Sequence, residues 1–175
     1  MSFLPPIALR RRAVLALSAA LPLLLGLPAQ ALENGQPAPE FRLAGQPAPV
    51  ALTEQKGKVV YLDFWASWCG PCKQSFPWMA EMQKKYGPRG LQVIAVNLDA
   101  KREDADRFLA QTPAGFTVGF DATGDTPKRY GIKGMPSSVL IAANGTVLAQ
   151  HSGFREDERA TLEAAIVDAL NRSGR

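Results

Sequence analysis

The stretch that decides the fold is residues 59–73, which read VVYLDFWASWCGPCK. Residues 59–65 are apolar except for Asp63, and a short run of this kind predicts a central strand that is buried on both faces. A helix is expected over residues 71–86, with a kink at Pro77. Cys69 and Cys72 therefore lie at the junction between a buried strand and a helix.

The two cysteines are three positions apart, so their thiols can close a disulfide across one helical turn. Backbone N–H groups and the helix dipole favour negative charge at a helix N-terminus. The pKa of Cys69 is therefore expected to fall below the free value of about 8.5, which makes Cys69 the attacking thiol. Cys72, one turn into the helix, should be more buried and should act as the resolving thiol, which attacks the mixed disulfide formed by Cys69. A structural disulfide and half of a metal site are the competing interpretations, although the single histidine, His151, gives a metal little support.

The rest of the chain alternates between strand-like and helix-like segments. Residues 32–49 are rich in Pro, Gly and Gln and predict an extended leader with a short strand near 41–43. Further strands are predicted over residues 91–98, 117–121, 138–141 and 146–150, and further helices over residues 102–111, 126–130 and 156–170. Asn144-Gly145 predicts a hairpin between the last two strands. This order of elements indicates a mixed α/β sandwich.

Residues 1–31 have the features of a secretory signal peptide. Arg10, Arg11 and Arg12 form a basic start, and an apolar run of 15 residues follows over 13–27, too short for a spanning helix. Ala29-Gln30-Ala31 matches a cleavage site. We therefore expect a signal peptide over 1–31 and one domain over 32–175, with an uncleaved membrane anchor as the alternative. A loose twin-arginine pattern leaves the export route open.

The charge of the chain changes once this segment is set apart. The formal net charge is +4, but three of the 20 basic residues lie in residues 1–31, which contain no acidic residue. The remainder therefore carries 17 basic and 16 acidic residues, a net charge of +1. It holds no basic cluster with interleaved aromatic residues, so nucleic-acid binding is not expected.

Residues 63–73 resemble the active-site segment of thioredoxins almost residue for residue. Met135-Pro136 matches the proline that this family holds in the cis form opposite the cysteines, and Gly153 matches the glycine before the last helix. The leader and the extra helix and strand between Asp99 and Pro136 resemble the TlpA/ResA branch of exported thiol–disulfide oxidoreductases. The resemblance implies a thioredoxin-like three-layer sandwich, in which helices flank a mixed central sheet, with an extended N-terminal leader and a helix-plus-strand insert.

The resemblance also implies a substrate-binding surface around the cysteines. We expect Trp68 to border this surface and residues 134–136 to form the loop that faces the disulfide. The residues assigned to substrate binding are Trp68, Gly70, Pro71, Gly134, Met135 and Pro136.

Two positions depart from the family pattern. ResA-type proteins carry a glutamate three residues after the second cysteine, and this chain has Ser75 there. Thioredoxins pair the buried aspartate with a lysine on the next strand, where this chain has Ala95. Asp63 is therefore the remaining candidate acid, and burial should raise its pKa so that it can shuttle the proton of Cys72. The alternative is that Asp63 only binds local backbone or buried water.

We expect an exported enzyme that reduces protein disulfides through a mixed disulfide, in the periplasm and as a monomer. Its redox centre is the Cys69–Cys72 disulfide, with no other cofactor and no metal. The resemblance implies a membrane thiol transporter of the DsbD/CcdA type as electron donor and makes apocytochrome c a plausible substrate. The alternatives are a disulfide oxidase or isomerase, a peroxidase, which Ala66 disfavours, and a copper- or haem-delivery chaperone that uses the cysteines as ligands.

Overall fold

The computed structural model describes residues 32–174, so the predicted signal peptide lies outside the described residues. The strands are β1 (Arg42–Gln46), β2 (Val50–Ala51), β3 (Val59–Trp65), β4 (Leu91–Asn97), β5 (Thr117–Phe120), β6 (Ser137–Ile141) and β7 (Val147–Ser152). The α-helices are α1 (Gly70–Tyr86), α2 (Arg102–Gln111), α3 (Asp125–Arg129) and α4 (Arg159–Ser173). Within these residues, no helix combines the length and the apolar character needed to cross a membrane.

The strands form one mixed sheet in the order β2-β1-β5-β4-β3-β6-β7. Strands β3, β4 and β5 run parallel, whereas β6 pairs antiparallel with β3, and β7 with β6. Every residue of β3 is buried, as its apolar run predicts, because the sheet covers both edges of this strand and other layers cover both faces. The carboxyl end of β3 leads directly into the cysteine segment.

Two layers cover the sheet and give the predicted three-layer sandwich. On one face, the apolar sides of α1, α2 and α4 pack over β3 and β4, with the Trp65 and Phe76 rings in edge-to-face contact at 4.7 Å. On the other face, the leader and the segment around α3 cover Leu62 and Phe64, with Phe41 and Tyr130 in the same cluster. Helix α1 therefore belongs to a layer that is fixed to the central strand by aromatic packing.

Helix α1 begins at Gly70, one residue earlier than predicted, with Cys69 as its N-cap. Pro71 suits the first turn because the N–H that proline lacks would have no helical partner there. Pro77 lies inside the helix, as predicted. The helix buries Phe76, Met79 and other apolar side chains on one face and therefore holds its first turn, with Cys72, against the sheet.

The structure differs from the sequence-based expectation mainly at the N-terminal edge of the sheet. The strand predicted near residues 41–43 begins at Arg42 and continues to Gln46, and β2 was not predicted. The sequence does not reveal the full length of β1, because its residues are exposed or half-buried and lack an apolar pattern. The strand pairs with β5 through backbone hydrogen bonds. Gly45 permits this arrangement, since a Cβ there would lie 2.4 Å from the Ala48 carbonyl oxygen.

The end of the chain also differs in detail. The helix predicted from residue 156 begins with the 3₁₀ turn Glu156–Glu158, and α4 proper starts at Arg159. Three acidic residues in succession suit the start of a helix, but they mark the turn rather than the regular helix. The leader extends the sheet at the hairpin between β6 and β7, where the Gly35 N–H donates to Val147 O at 2.8 Å and the Ala38 N–H donates to Gly145 O at 2.9 Å.

Candidate active site

Cys69 and Cys72 form a disulfide with 5.3 Å between their Cα atoms, which confirms the predicted pairing. Cys69 has an extended backbone and directly precedes α1, whereas Cys72 lies in the first turn. Cys69 is 5% exposed and Cys72 is fully buried. The sulfur nearer the surface thus lies where the helix N-terminus favours a thiolate, and the buried sulfur lies beneath it.

The loop that carries Cys69 is anchored by a carboxylate that the sequence analysis did not select. Asp99 is 4% exposed and follows β4, next to the carboxyl end of β3. Its carboxylate accepts hydrogen bonds from the Ser67 N–H at 2.9 Å, the Ser67 hydroxyl at 3.0 Å and the Asn97 side-chain amide at 2.8 Å. Polar residues directly after a buried parallel strand are the signal that could have identified it, because the carboxyl ends of parallel strands meet at one edge of the sheet.

Three of the residues that the sequence assigns to substrate contact adjoin the cysteines along the chain and are exposed. Trp68 is 72% exposed, and it is the one large apolar side chain that residues 32–174 leave open to solvent. Gly70 and Pro71 are also exposed. A large apolar side chain beside a reactive disulfide is suited to contact an incoming protein chain.

The loop over residues 134–136 adopts the predicted conformation, with a cis bond between Met135 and Pro136. Met135 is half-buried and packs against the cluster that includes Cys69 and Cys72. The Ser137 hydroxyl donates to Gly134 O at 2.7 Å, and the Gly153 N–H donates to Pro136 O at 2.8 Å. These two hydrogen bonds hold the loop, in which Gly134 is exposed and Pro136 is buried.

Asp63 lies within β3, on the sheet face that α1 covers, and is 2% exposed. Its register partners are Ala95 on β4 and Ser138 on β6, so the lysine of thioredoxins has no counterpart opposite it. Among residues 32–174, no group donates a hydrogen bond to Asp63 Oδ2. Burial without compensation raises the pKa of Asp63 well above its usual value.

Ser75 occupies the position at which ResA-type proteins carry glutamate. Its side chain is buried, and its hydroxyl donates to the Cys72 carbonyl at 3.1 Å. A serine hydroxyl cannot ionise at neutral pH, so Ser75 contributes helix contacts rather than a titrating group beneath the disulfide.

The remaining candidate ligand, His151, lies on β7 with its ring nitrogen 3.3 Å from Glu158 Oε2. Across residues 32–174, no group of three or more His, Cys, Asp or Glu side chains is close enough to hold a metal ion.

Comparison with known proteins agrees with this geometry. The model of the Redoxin family matches residues 33–166. The thiol–disulfide oxidoreductase ResA of Bacillus thuringiensis subsp. konkukian is 33% identical over 129 residues, covering 73% of this chain and 75% of that protein. ResA of Bacillus subtilis is 30% identical over 125 residues, covering 71% of this chain and 70% of that protein.

A solved structure extends the likeness to the fold. The crystal structure described as a thiol:disulfide interchange protein DsbE from Chlorobium tepidum has a TM-score of 0.79 and is 59% identical, covering 80% of this chain and 99% of that one. The family match, the fold and the disulfide at the start of α1 agree with one another. This chain therefore belongs to the redoxin family, as a TlpA/ResA-like thiol–disulfide oxidoreductase of the thioredoxin superfamily.

Proposed function

We propose that this oxidoreductase is exported and acts as a reductant of protein disulfides, with Cys69 as nucleophile and Cys72 as resolving thiol. The observation that carries the proposal is the position of the disulfide. Cys69 lies at the N-terminus of α1, directly after the exposed Trp68, whereas Cys72 is fully buried. A substrate chain can therefore approach Cys69 and cannot approach Cys72.

The reaction transfers two electrons in two exchanges. The Cys69 thiolate attacks a substrate disulfide, forms a mixed disulfide and releases one substrate sulfur as a thiolate. Cys72 then loses its proton and attacks the Cys69 sulfur, which releases the second substrate sulfur and closes the Cys69–Cys72 disulfide. The substrate is reduced and the enzyme is oxidised by the same two electrons.

The first exchange needs a substrate held in place, and the surface of the site supports this role. Trp68 directly precedes Cys69, and Gly70 and Pro71 separate the two cysteines; all three are exposed, as is Gly134, which precedes Met135. An extended substrate segment can pair with the backbone at Met135 as an added strand while its sulfur lies over Cys69.

The second exchange needs a base for the Cys72 proton, and we assign this role to Asp63. Burial raises the pKa of Asp63, so its carboxylate binds a proton more strongly than an exposed carboxylate does and is a better base for the Cys72 thiol. Neither Ser75 nor Ala95 supplies an ionisable group that could accept the Cys72 proton in its place.

Export is supported by residues 1–31, whose basic start, apolar run and Ala-Gln-Ala site match a signal peptide. The periplasm is oxidising, so a reductant there needs an electron supply. A membrane thiol transporter of the DsbD/CcdA type fits this need, and disulfide-bonded proteins, including apocytochrome c during cytochrome c maturation, fit as substrates. The enzyme acts as a monomer whose redox centre is the cysteine pair alone.

The roles of the cysteines can be tested with two variants. Cys69→Ser and Cys72→Ser should each abolish turnover of insulin disulfides, but only Cys72→Ser should accumulate a mixed disulfide, detected by mass after acid quenching. The chain has two cysteines in all, so each variant keeps a single possible attachment site. Trapping by Cys69→Ser instead would reverse the roles, and retained turnover in either variant would exclude the dithiol mechanism.

The reduction potential separates a reductant from an oxidase or isomerase. A value near the roughly −270 mV of thioredoxin supports the proposal, whereas a value near about −120 mV indicates an oxidant. Titration of the reduced protein with Cu(I), with Cys69→Ser as the matched control, tests the metal-chaperone alternative. Tight binding that requires both thiols would favour that alternative.

A further inference from the structure

A polar groove, here called the α1–α2 groove, lies between the start of α1 and helix α2, next to the cysteine segment. It has a volume of about 270 Å³, and its lining includes Ser67 and Lys73 together with Asp104, Arg107 and Phe108 of α2. Sites that hold drug-sized molecules are larger, at roughly 300–1,000 Å³. The groove is therefore sized for one or two side chains of a polypeptide rather than for a separate ligand.

The edge of the groove is fixed close to the reacting sulfur. The Cys69 N–H donates to Ala66 O at 3.0 Å, so residues 66–69 form a tight turn. Ser67 lies in this turn and is bound to the Asp99 carboxylate through both its N–H and its hydroxyl. Because two residues of extended chain span about 7 Å, the Cα atoms of Ser67 and Cys69 are no further apart than that. Two or three residues of a substrate chain can therefore bridge from the sulfur over Cys69 to the groove.

The apolar part of the lining is rigid. Phe108 is buried, and its ring centroid lies 4.8 Å from that of Trp65 and 4.9 Å from that of Phe76. Side chains packed this closely keep one arrangement. The shape of the groove therefore exists before a substrate arrives, which lowers the entropic cost of filling it.

The charged side chains that line the groove are two cations and one carboxylate. Arg107 forms an ion pair with Asp104, one turn earlier on α2. Lys73 is exposed and forms no ion pair with any of residues 32–174. The net charge of the lining is therefore +1, and it is carried by a lysine near the N-terminus of α1, where the helix dipole also favours an anion.

The two chain segments around the cysteines and the cis-proline have the same sign of charge. Residues 66–74 and 131–137 contain two charged side chains, Lys73 and Lys133, and both are exposed. Neither segment contains an acidic residue. A partner surface that carries carboxylates would be attracted to this region, and one that carries cations would be repelled.

We propose that the α1–α2 groove is a specificity subsite that binds an acidic side chain of the substrate protein, two or three residues from the cysteine that Cys69 attacks. The inference rests on the proposed reduction of protein disulfides and names a substrate class for it, disulfides flanked by aspartate or glutamate. The Lys73 ammonium pairs with the carboxylate, and the Phe108 ring contacts the methylene groups that carry it. Gln111 and Thr112, which complete the lining, offer neutral hydrogen-bond donors.

The preference can be measured with two peptides that differ only in charge. Each has nine residues with one central cysteine and is oxidised to its own disulfide dimer. One carries glutamate at the second and third positions on both sides of the cysteine, and the other carries glutamine there. Reduced protein is mixed with each dimer, and oxidation of the protein is followed by mass after acid quenching. Each rate is divided by the rate of the same peptide with dithiothreitol, which removes the difference in disulfide reactivity between the peptides.

The quantity compared is the ratio of the two corrected rates within one protein, glutamate peptide over glutamine peptide. A change in the reactivity of Cys69 cancels in this ratio because both peptides meet the same thiol. The wild-type ratio should be about five at low salt, the upper end of what an exposed ion pair contributes. It should fall toward one in about 1 M salt, where charges are screened beyond about 3 Å. A wild-type ratio of one at low salt would overturn the subsite.

Substitutions in the groove should change the ratio in opposite directions. Lys73→Gln should bring it close to one, and Lys73→Glu should bring it below one. Asp104→Asn should raise it about twofold, because Arg107 then loses its partner and can pair with the substrate carboxylate. A damaged fold could not produce this gain. An unchanged ratio in Lys73→Gln, or a lower ratio in Asp104→Asn, would overturn the subsite.

Two lysines outside the lining are the matched controls. Lys84 is exposed on the same helix, 11 residues from Lys73 and therefore about 16 Å away. Lys133 is exposed near the cis-proline. Lys84→Gln and Lys133→Gln should each keep most of the wild-type ratio. If either lowered it as much as Lys73→Gln does, the preference would reflect the overall charge of the protein and the subsite would be overturned.

The same experiment separates this inference from the proposed function. Reduction of both peptides at equal corrected rates would overturn the subsite and leave the reductant role intact. Failure of the reduced wild-type protein to reduce either peptide would overturn the reductant role and the subsite with it.

Discussion

Two buried aspartates lie close to the ends of neighbouring strands, yet their surroundings are opposite. Asp99 accepts three hydrogen bonds from Ser67 and Asn97 and fixes the loop before Cys69. Asp63 is as deeply buried, but Oδ2 receives no hydrogen bond from the described chain, and its pKa is raised. Burial alone therefore does not determine what a carboxyl does; the number of donors around it determines whether it anchors structure or stays available to exchange a proton.

The largest expected effect is on the well-bonded carboxyl. Asp99→Ala leaves the Ser67 N–H and the Asn97 amide without their acceptor, so the free energy of unfolding should fall by about 3 kcal/mol. Asp99→Asn keeps one acceptor oxygen and should lose about half as much. Urea unfolding measures both, with Asp106→Ala as control, because the exposed pair of Asp106 with Arg102 should contribute no more than about 1 kcal/mol. A loss for Asp99→Ala no greater than for this control would show that Asp99 is not an anchor.

The second largest effect should be a slower exchange reaction when Asp63, the carboxyl without hydrogen-bond donors, is replaced. Asp63→Asn should slow insulin reduction near pH 7 by about 100-fold, since it removes the acceptor of the Cys72 proton and keeps the shape of the side chain. Asp99→Asn should slow the same reaction less while destabilising the protein more. The comparison would be wrong if Asp99→Asn slowed insulin reduction more than Asp63→Asn does, and if Asp63→Asn lowered the free energy of unfolding more than Asp99→Asn does.

The stability of the protein should also reveal the raised pKa of Asp63 through its sign. In the unfolded chain Asp63 ionises near pH 3.8, whereas in the folded chain it keeps its proton to higher pH. The folded state therefore binds more protons between these two pKa values, and this carboxyl lowers the stability as the pH rises through that window. Asp63→Asn should remove the decline and should be neutral to stabilising at pH 7. Urea unfolding of both proteins across this range tests the sign, and a lower stability of Asp63→Asn at pH 7 would contradict it.

The smallest effect should follow from giving Asp63 a partner. Ala95→Lys places an ammonium group in register with Asp63, and a nearby opposite charge should lower the pKa of this carboxyl. Exchange should change by less than about tenfold, because the carboxyl is retained and only its proton affinity is altered. Carbon NMR of the Asp63 carboxyl follows the titration, and Ala95→Met, of similar length without charge, controls for packing. If the pKa of Asp63 were the same in Ala95→Lys and Ala95→Met, a charge at position 95 would have no effect on this carboxyl.

The centre of the fold and of the site could be predicted from sequence because strong local signals coincide there. The apolar run of β3 and the cysteine spacing each specify a local structure, and the family resemblance implies the cis bond at Met135-Pro136; the structure contains all three. The resemblance to thioredoxins placed Ala95 opposite Asp63, and the strand register agrees.

The features that were missed depend on contacts between distant segments. In the sequence, Asp99 looks like an ordinary polar residue after a strand. Its role depends on hydrogen bonds from Ser67, which is 32 positions away along the chain. Strands β1 and β2 carry little apolar periodicity, and their pairing with each other and with β5 depends on backbone hydrogen bonds that no residue pattern records. The pairing of Asp63 with Ser138, and of Ser138 with His151, likewise depends on register, which the sequence alone leaves open.

The leader and β2 have a further consequence, for self-association. Open strand edges can recruit the edge of a second molecule and so begin aggregation. Here one edge of the sheet ends in a strand of two residues, Val50–Ala51, and the other is joined at its hairpin end by the leader through Gly35 and Ala38. The leader therefore covers the start of β7 at the hairpin end of the sheet, which is opposite the end where β3 leads into the disulfide.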